Sequence, residues 1–391
     1  MPVPPLDRST DLPSLRRWLG AGQPRWLEAL EELVRCESPS GDRQAIANCA
    51  HIVGRLFAAE VGMTDLQLVE AAGVPSLVLR WGDPKGSSPL LLGHLDTVWD
   101  AGSFQPLFQV SGGRVVGPGV FDMKGGVVVA MAAMAGLRQA GGALGGLTVL
   151  LTGDEEVGSP ASRQLIEVEA RRSSAVLVLE PPLGPAVKIA RKGIGGYRLT
   201  VRGRAAHAGL DPELGVNSLV AIAPLVNQVA ALARPELGTT VSPTVLRAGT
   251  RTNVIPAQAV LEVDVRFATA AEADRVQEGM RALRVNVPDS ALELEGGANR
   301  PPFEPSSSSG LFALARGVAA ELGWPELEGA SVGGGSDGNF TAALGTPTLD
   351  GLGIVGGSAH ADGEWAELDS IPERAALLAG LVARIWEGRL G

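Results

Sequence analysis

Cysteine, tyrosine and histidine are scarce in this chain, and no stretch is strongly basic or continuously apolar. Only two cysteines occur among 391 residues, Cys36 and Cys49, both within apolar patterns of helical spacing. No disulfide framework is expected from that pair, and the expected setting is the reducing cytoplasm. Met1-Pro-Val-Pro-Pro-Leu-Asp7 lacks a basic segment followed by an apolar core, so no signal peptide is expected. No run of about 18 apolar residues is found, so no membrane span is expected. The 33 basic residues face 43 acidic ones, a formal net charge of -10 without a basic run, which argues against nucleic acid as a partner. The acid surplus suits solubility, and equally a site that gathers cations.

Glycine, by contrast, is abundant at 52 residues, which points to many tight turns and close contacts. At 45% hydrophobic, the chain is long enough for two domains, each with its own core. Trp26, Leu27, Leu30, Leu33 and Val34 share one helical face, and Ala45, Ile46, Cys49, Ile52, Val53 and Phe57 mark a second helix. His51 stands apart from the other chemical residues and reads as a surface or boundary histidine. Buried strands are expected at 76–81, 90–94, 147–152 and 175–179, with a helix at 127–137 among them. That alternation predicts an α/β domain with a doubly wound, mostly parallel sheet. From about 195 the pattern becomes strand 197–202, helix 216–232, strands 244–246 and 259–266, helix 270–283 and strand 291–295. This β-α-β-β-α-β order is ferredoxin-like. The expected domains are 1–194 with 303–391, and an inserted domain at 195–302.

The chemistry gathers at strand ends. His94 and Asp96 close the apolar run that starts at Leu90, and on a strand they point the same way. A carboxylate beside a metal-binding imidazole fixes its tautomer and raises its basicity. Taken alone, the pair reads as well as a core histidine beside a solvated aspartate. Three further acidic stretches follow the same plan: Asp122 between glycines, the adjacent Glu155 and Glu156, and Glu180. His360 lies in a late glycine-rich loop. In doubly wound sheets, ligands bind outside the carboxyl ends of the strands. Imidazole and carboxylate without cysteine suit zinc, manganese or cobalt, and the donors outnumber what one catalytic zinc needs. One carboxylate bridging two ions, with a histidine and a further carboxylate on each, accounts for the surplus. Two ions about 3.5–4 Å apart can activate water and polarise a carbonyl together. Of Glu155 and Glu156, one would then bind metal while its neighbour takes the proton.

His94-Leu-Asp96-Thr-Val, Gly119-Val-Phe-Asp122-Met-Lys-Gly-Gly, Asp154-Glu-Glu156-Val-Gly-Ser, Glu180-Pro and Ser358-Ala-His360 resemble, in this order, the motifs of a co-catalytic zinc metallopeptidase family. It includes bacterial glutamate carboxypeptidase, aminoacylase, succinyl-diaminopimelate desuccinylase and the di- and tripeptidases. The resemblance implies two zinc ions per chain, with cobalt or manganese as substitutes. His94 and Glu180 would hold one ion, Glu156 and His360 the other, and Asp122 would bridge them. Asp96 would orient His94, Glu155 would be the general base, and the peptide after Asp122 would be cis.

His207, in Gly203-Arg-Ala-Ala-His-Ala-Gly209, would be a turn histidine on its own. The resemblance implies instead that it reaches the partner subunit's active site and stabilises the oxyanion. With that comes a homodimer joined through 195–302. Asn253 and Arg266 match positions that hold the substrate's free carboxylate, although an alternating strand's solvent face also explains Arg266. Gly335 and Ser336 resemble a substrate-lining loop, and Arg300, less so Lys192, would bind an acidic group. The glycine loop at 333–338 lacks the Lys-Ser/Thr of a phosphate loop. The expectation is a zinc hydrolase that cleaves the amide bond next to a C-terminal amino acid, on a small peptide or N-acyl-amino-acid substrate. Overall similarity leans toward glutamate carboxypeptidase. An N-acyl-amino-acid deacylase and a non-catalytic metal-binding protein on the same fold are the rivals.

Overall fold

The computed structural model describes residues 11–62, 65–82, 88–141 and 144–389. The N-terminal residues that bear on a leader lie outside this set. The chain falls into two compact units, Met1–Ala190 with Pro305–Ser331 and Ser336–Gly391, and Arg191–Glu304 with Val332–Gly335. The expected division had left 332–335 with the first unit. Its backbone is instead fastened to the second, where Lys192 N donates to Val332 O at 3.0 Å and Arg191 donates to the Gly334 and Gly335 carbonyls.

The first unit is built on a six-stranded sheet in the order Asp65–Ala71, Val74–Trp81, Leu147–Thr152, Pro89–His94, Ala175–Val178, Thr348–Leu349. The pairings that involve Pro89–His94 and Thr348–Leu349 are parallel, and the first three strands form an antiparallel edge. Helices α1 (Leu12–Ala21), α2 (Gln23–Arg35), α3 (Arg43–Val61), α4 (Gly125–Gly141), α5 (Arg163–Arg172), α8 (Ser309–Glu321), α9 (Gly338–Ala343) and α10 (Ser370–Trp386) surround it; α6 and α7 belong to the second unit. Side chains alternate between two cores. Leu77, Leu79, Leu91, Val149, Leu151 and Leu177 pack with the larger helical layer. Val78, Leu90, Leu92, Leu150, Val176 and Val178 pack with Ile166 and Ala170 of α5 and Phe340 of α9. Strands buried on both faces are apolar at every position, which is why they read as unbroken hydrophobic runs.

Helix α4 contains the apolar stretch expected at 127–137. Val120–Gly141 is long and apolar enough to cross a membrane by length and composition, with a mean hydropathy of 1.5. Its most apolar 18 residues are 94% buried within the protein, and a helix buried on all sides is apolar on all sides. Several elements also went unanticipated, among them α1 and the strand Val187–Arg191. The edge strand Asp65–Ala71 has no fully buried residue, and α5 buries only Ile166, Glu169 and Ala170. Neither offers a strong hydrophobic period.

The second unit is a four-stranded antiparallel sheet in the order Thr240–Ala248, Gln258–Phe267, Gly193–Arg202, Ala291–Arg300. Helices α6 (Ser218–Ala230) and α7 (Ala270–Ala282) complete the ferredoxin-like arrangement. Ile222, Leu225 and Val229 of α6 and Val276 and Met280 of α7 pack on Leu199, Val201, Leu261 and Val263. One buried carboxylate ties α7 to the first strand. Glu272 accepts from Thr239 Oγ1 at 2.6 Å and from Arg275 Nε and Nη2 at 2.7 Å. The Arg275 fork, aided by Thr239, lowers the Glu272 pKa to about 2. A lowered carboxylate pKa adds stability above the unfolded value, near 4.5, and that stability is lost as pH falls toward 2. Glu272→Gln is therefore expected to cost about 2 kcal/mol at neutral pH, with the difference from the parent shrinking as pH falls through that window. Denaturant unfolding at a series of pH values measures it, and a pH-independent difference would contradict the assignment.

Candidate metal centre and active site

Three parallel strands place most of the expected site residues. His94 ends its strand, Glu155 and Glu156 lie in a short 3-10 turn after Leu147–Thr152, and Glu180 follows Ala175–Val178. These are neighbouring strands, so their carboxyl ends open on one space. Asp122 comes from the turn Val120–Lys124 that leads into α4, and the Asp122–Met123 peptide is cis. His360 comes from the loop between Gly356–Gly357 and Trp365–Glu367 and has a positive φ of 59°.

Asp122 is the centre of the cluster. Its Oδ1 lies 3.2 Å from His94 Nε2, and its Oδ2 lies 3.3 Å from His360 Nε2. Glu180 Oε1 is 3.5 Å from His94 Nε2, and Glu156 Oε2 is 3.1 Å from His360 Nε2. Each imidazole thus faces one private carboxylate and one oxygen of the shared one. Donor atoms of His94, Glu155 and Glu180 come within 4.8 Å of one another, as do those of His94, Asp122 and Glu156.

Asp96 does more than orient His94. His94 Nδ1 lies 2.9 Å from the Asp96 carbonyl and 3.5 Å from its carboxylate, an arrangement that leaves Nε2 to face the cluster. The same carboxylate accepts from the backbone N–H of Glu155 at 3.1 Å, that of Glu156 at 3.2 Å, and Ser40 Oγ at 2.7 Å. One fully buried aspartate therefore positions a histidine from one strand and the Glu-Glu turn from the next.

Protonation follows from this crowding. Burial would push the His94 imidazole down, but Asp122, Asp96 and Glu180 outweigh it and hold its pKa well above the usual value. Asp122, then Glu156, raise His360 to about 10. Burial raises Glu156, while His360 and His94 overcome burial at Asp122 and hold it below the carboxylate range. Glu156 Oε1 is buried without a hydrogen-bond partner. A divalent ion suits this set: an orphaned carboxylate oxygen and two imidazole nitrogens converge where only hard or borderline donors are present.

Sequence reasoning missed two supporting residues. Glu364, wholly buried, accepts from the N–H groups of Gly119, Phe121 and Asp122 and from Trp99 Nε1. Arg374 of α10 donates Nε to the Gly353 carbonyl at 3.0 Å and Nη2 to that of Gly351, and Gly353 N donates to Glu180 O at 2.9 Å. Burial lowers Arg374 to about 10. Glu364 lies four residues after His360, and that spacing was the available signal.

Of the remaining expected residues, Ser336 belongs to the first unit and the others to the second. Ser336 is fully buried, and its hydroxyl donates to Asp350 Oδ2 at 2.7 Å, so it braces its loop. His207, Asn253, Arg266, Arg300, Gly335 and Lys192 belong to the second unit. His207 is exposed, and its Nδ1 accepts from Gly209 N at 3.2 Å and Leu210 N at 3.0 Å. Asn253 O receives Ala208 N at 2.9 Å, which joins the His207 and Asn253 turns. Arg266 makes a two-point pair with Asp264, both contacts at 3.0 Å. Arg300 is buried, and Gly335 lies so close that an added Cβ would meet Arg300 Cδ at 3.1 Å.

A histidine-carboxylate cluster at the carboxyl edge of such a sheet offers a donor set suited to a divalent ion. The profile of Peptidase family M20/M25/M40 matches residues 90–384, and the chain belongs to that family. It is similar to Carboxypeptidase G2 of Pseudomonas sp. (strain RS-16), 32% identical over 94% of this chain and 91% of that one. Succinyl-diaminopimelate desuccinylase of Halorhodospira halophila (strain DSM 244 / SL1) is 32% identical over 80% of this chain and 86% of its own length. The fold resembles aminopeptidase PepT of Bacillus cereus ATCC 10987, with a TM-score of 0.72 at 19% identity over 93% and 99% of the two chains. It also resembles the M20 family metallo-carboxypeptidase Sso-CP2 of Sulfolobus solfataricus, with a TM-score of 0.72 at 16% identity over 91% and 98%.

Metal ions need neutral imidazoles, whereas the metal-free cluster holds them protonated. Loading with zinc is therefore expected to release protons, with apparent affinity still rising as pH increases toward about 10. Calorimetry in two buffers of unlike ionisation enthalpy measures this. Binding without proton release would contradict the protonation state.

Proposed function

We propose that this protein is a dinuclear zinc carboxypeptidase that releases a C-terminal amino acid from a peptide or N-acyl amino acid. The observation that carries this reading is the two-sided contact of Asp122, whose oxygens face His94 and His360 at 3.2 and 3.3 Å. His94 with Glu180 would hold one ion, His360 with Glu156 the other, and Asp122 both. When bound, the pair polarises the scissile carbonyl and acidifies the attacking water. Glu155, its backbone fixed by Asp96, takes the proton and delivers it to the leaving amine. The 32% identity to Carboxypeptidase G2 over nearly the whole chain supports a carboxypeptidase; the similar identity to a desuccinylase keeps N-acyl-amino-acid deacylation as the second reading.

For His207 we propose oxyanion stabilisation in the partner's active site. Its Nδ1 accepts two backbone N–H groups, so Nε2 carries the proton and is a donor. The homodimer this requires would use the second unit, which exposes Leu219 and Val220 on α6 and Leu246 on the sheet's edge strand. Asn253 and Arg266 would receive the substrate carboxylate, with Asp264 presetting the guanidinium. Cytoplasmic location accords with the two free cysteines.

Zinc-loaded enzyme should cleave substrates ending in Glu, Leu, Phe or Lys in a chelator-sensitive manner, and the profile separates peptidase from deacylase. Glu155→Ala should keep two metals per chain while turnover falls by about 10²–10⁴-fold. Retained turnover would remove Glu155 as base, and no turnover by the parent on any substrate would overturn the activity. Glu155→Ala and His207→Ala, each inactive alone, should recover activity in mixed dimers. No recovery in verified mixed dimers would exclude action across subunits.

A further inference from the structure

Glu364 is a carboxylate enclosed by four N–H donors. Its Oε1 accepts from Phe121 N at 2.8 Å and Asp122 N at 2.9 Å. Its Oε2 accepts from Gly119 N at 2.9 Å and from Trp99 Nε1 at 2.8 Å. First, the three backbone donors belong to the loop that carries Asp122, and curl around one anion as backbone N–H groups do in anion-binding concavities. Second, the curl needs Gly119, whose φ is 69° and whose added Cβ would meet Thr97 Cγ2 at 2.6 Å. Third, Glu364 ends the loop that carries His360; its carbonyl accepts from Gly117 N at 3.2 Å, and Trp365 pairs with Val116 on the adjoining strands. The side chain thus joins the Asp122 loop to the His360 loop.

We propose that Glu364 is a positioning residue that presets Asp122 between the two histidines, so that both metal half-sites depend on it. This rests on the reading of Asp122 as the bridging ligand. Glutamine has nearly the same shape but replaces one acceptor oxygen by an NH₂ group, which turns donor against donor on one side of the enclosure. Leaving buried donors unmatched in this way is costly, and the charge that strengthened the remaining bonds is lost as well. Because Asp122 touches both His94 and His360, a shift of its loop weakens both half-sites together. A change at His360 itself removes a ligand from one.

The test is zinc competition with a chromophoric chelator on the parent, Glu364→Gln, His360→Ala and Trp99→Phe, alongside far-ultraviolet circular dichroism of the metal-free proteins. The parent should bind two ions; if it binds one or none, the dinuclear reading fails independently of Glu364. Given two ions, Glu364→Gln should lose at least tenfold in affinity for both, with KM little changed and kcat recovered by excess zinc. His360→Ala should lose affinity for one ion mainly. Affinities within twofold of the parent in Glu364→Gln, or a loss confined to one ion, would overturn the proposal. If Glu364→Gln does not fold, Trp99→Phe decides: removing one donor should weaken both ions about threefold with unchanged dichroism, and unchanged affinities would overturn the proposal.

Discussion

The structure turns on one partly buried carboxylate shared by two imidazoles. Asp122 presents a different oxygen to each histidine, and each histidine is matched by its own glutamate. Five carboxylates from Asp96 to Glu180 crowd a space with two imidazoles. Like charges at such distances disfavour joint ionisation unless cations intervene. In the metal-free state protons supply that positive charge, which accounts for the raised histidines. Metal ions supply it better because each accepts several donors at once.

Holding such a cluster requires rigid supports on every side. Parallel strands deliver His94, the Glu-Glu turn and Glu180 to one edge, and their side chains are locked into cores on both faces of the sheet. The residues that do not come from strands are fastened by buried polar groups. Asp96 ties two strand ends, Glu364 collects the Asp122 loop, and Arg374 grips the carbonyls of the segment bonded to Glu180. Each of these side chains is buried with its hydrogen bonds matched, the condition under which buried polar groups add order.

Much of this was legible in the chain. Helices α2 and α3 showed their apolar stripes, and the central strands showed as apolar runs with acid or histidine at the end. The ferredoxin-like order followed from alternation and turn spacing. The weakly patterned elements were invisible, as with α5 and the strand Asp65–Ala71, because elements with little apolar burial carry little period. The long apolar helix was legible at 127–137, and it runs a few residues further at each end, Gly125–Gly141.

By itself the sequence determined which imidazoles and carboxylates gather together, because groups placed directly after buried parallel strands end at one edge of the sheet. It also determined the order of strands and helices along the second unit, which follows from local pattern. Tertiary structure alone decided what each group does to its neighbours. That Asp96 holds the Glu-Glu turn, that Ser336 spends its hydroxyl on Asp350, and that Glu364 lies inside four N–H groups all depend on contacts between distant segments. Hydrogen bonds are directional and act within about 3 Å, so spacing along the chain names the donors and acceptors while only packing pairs them.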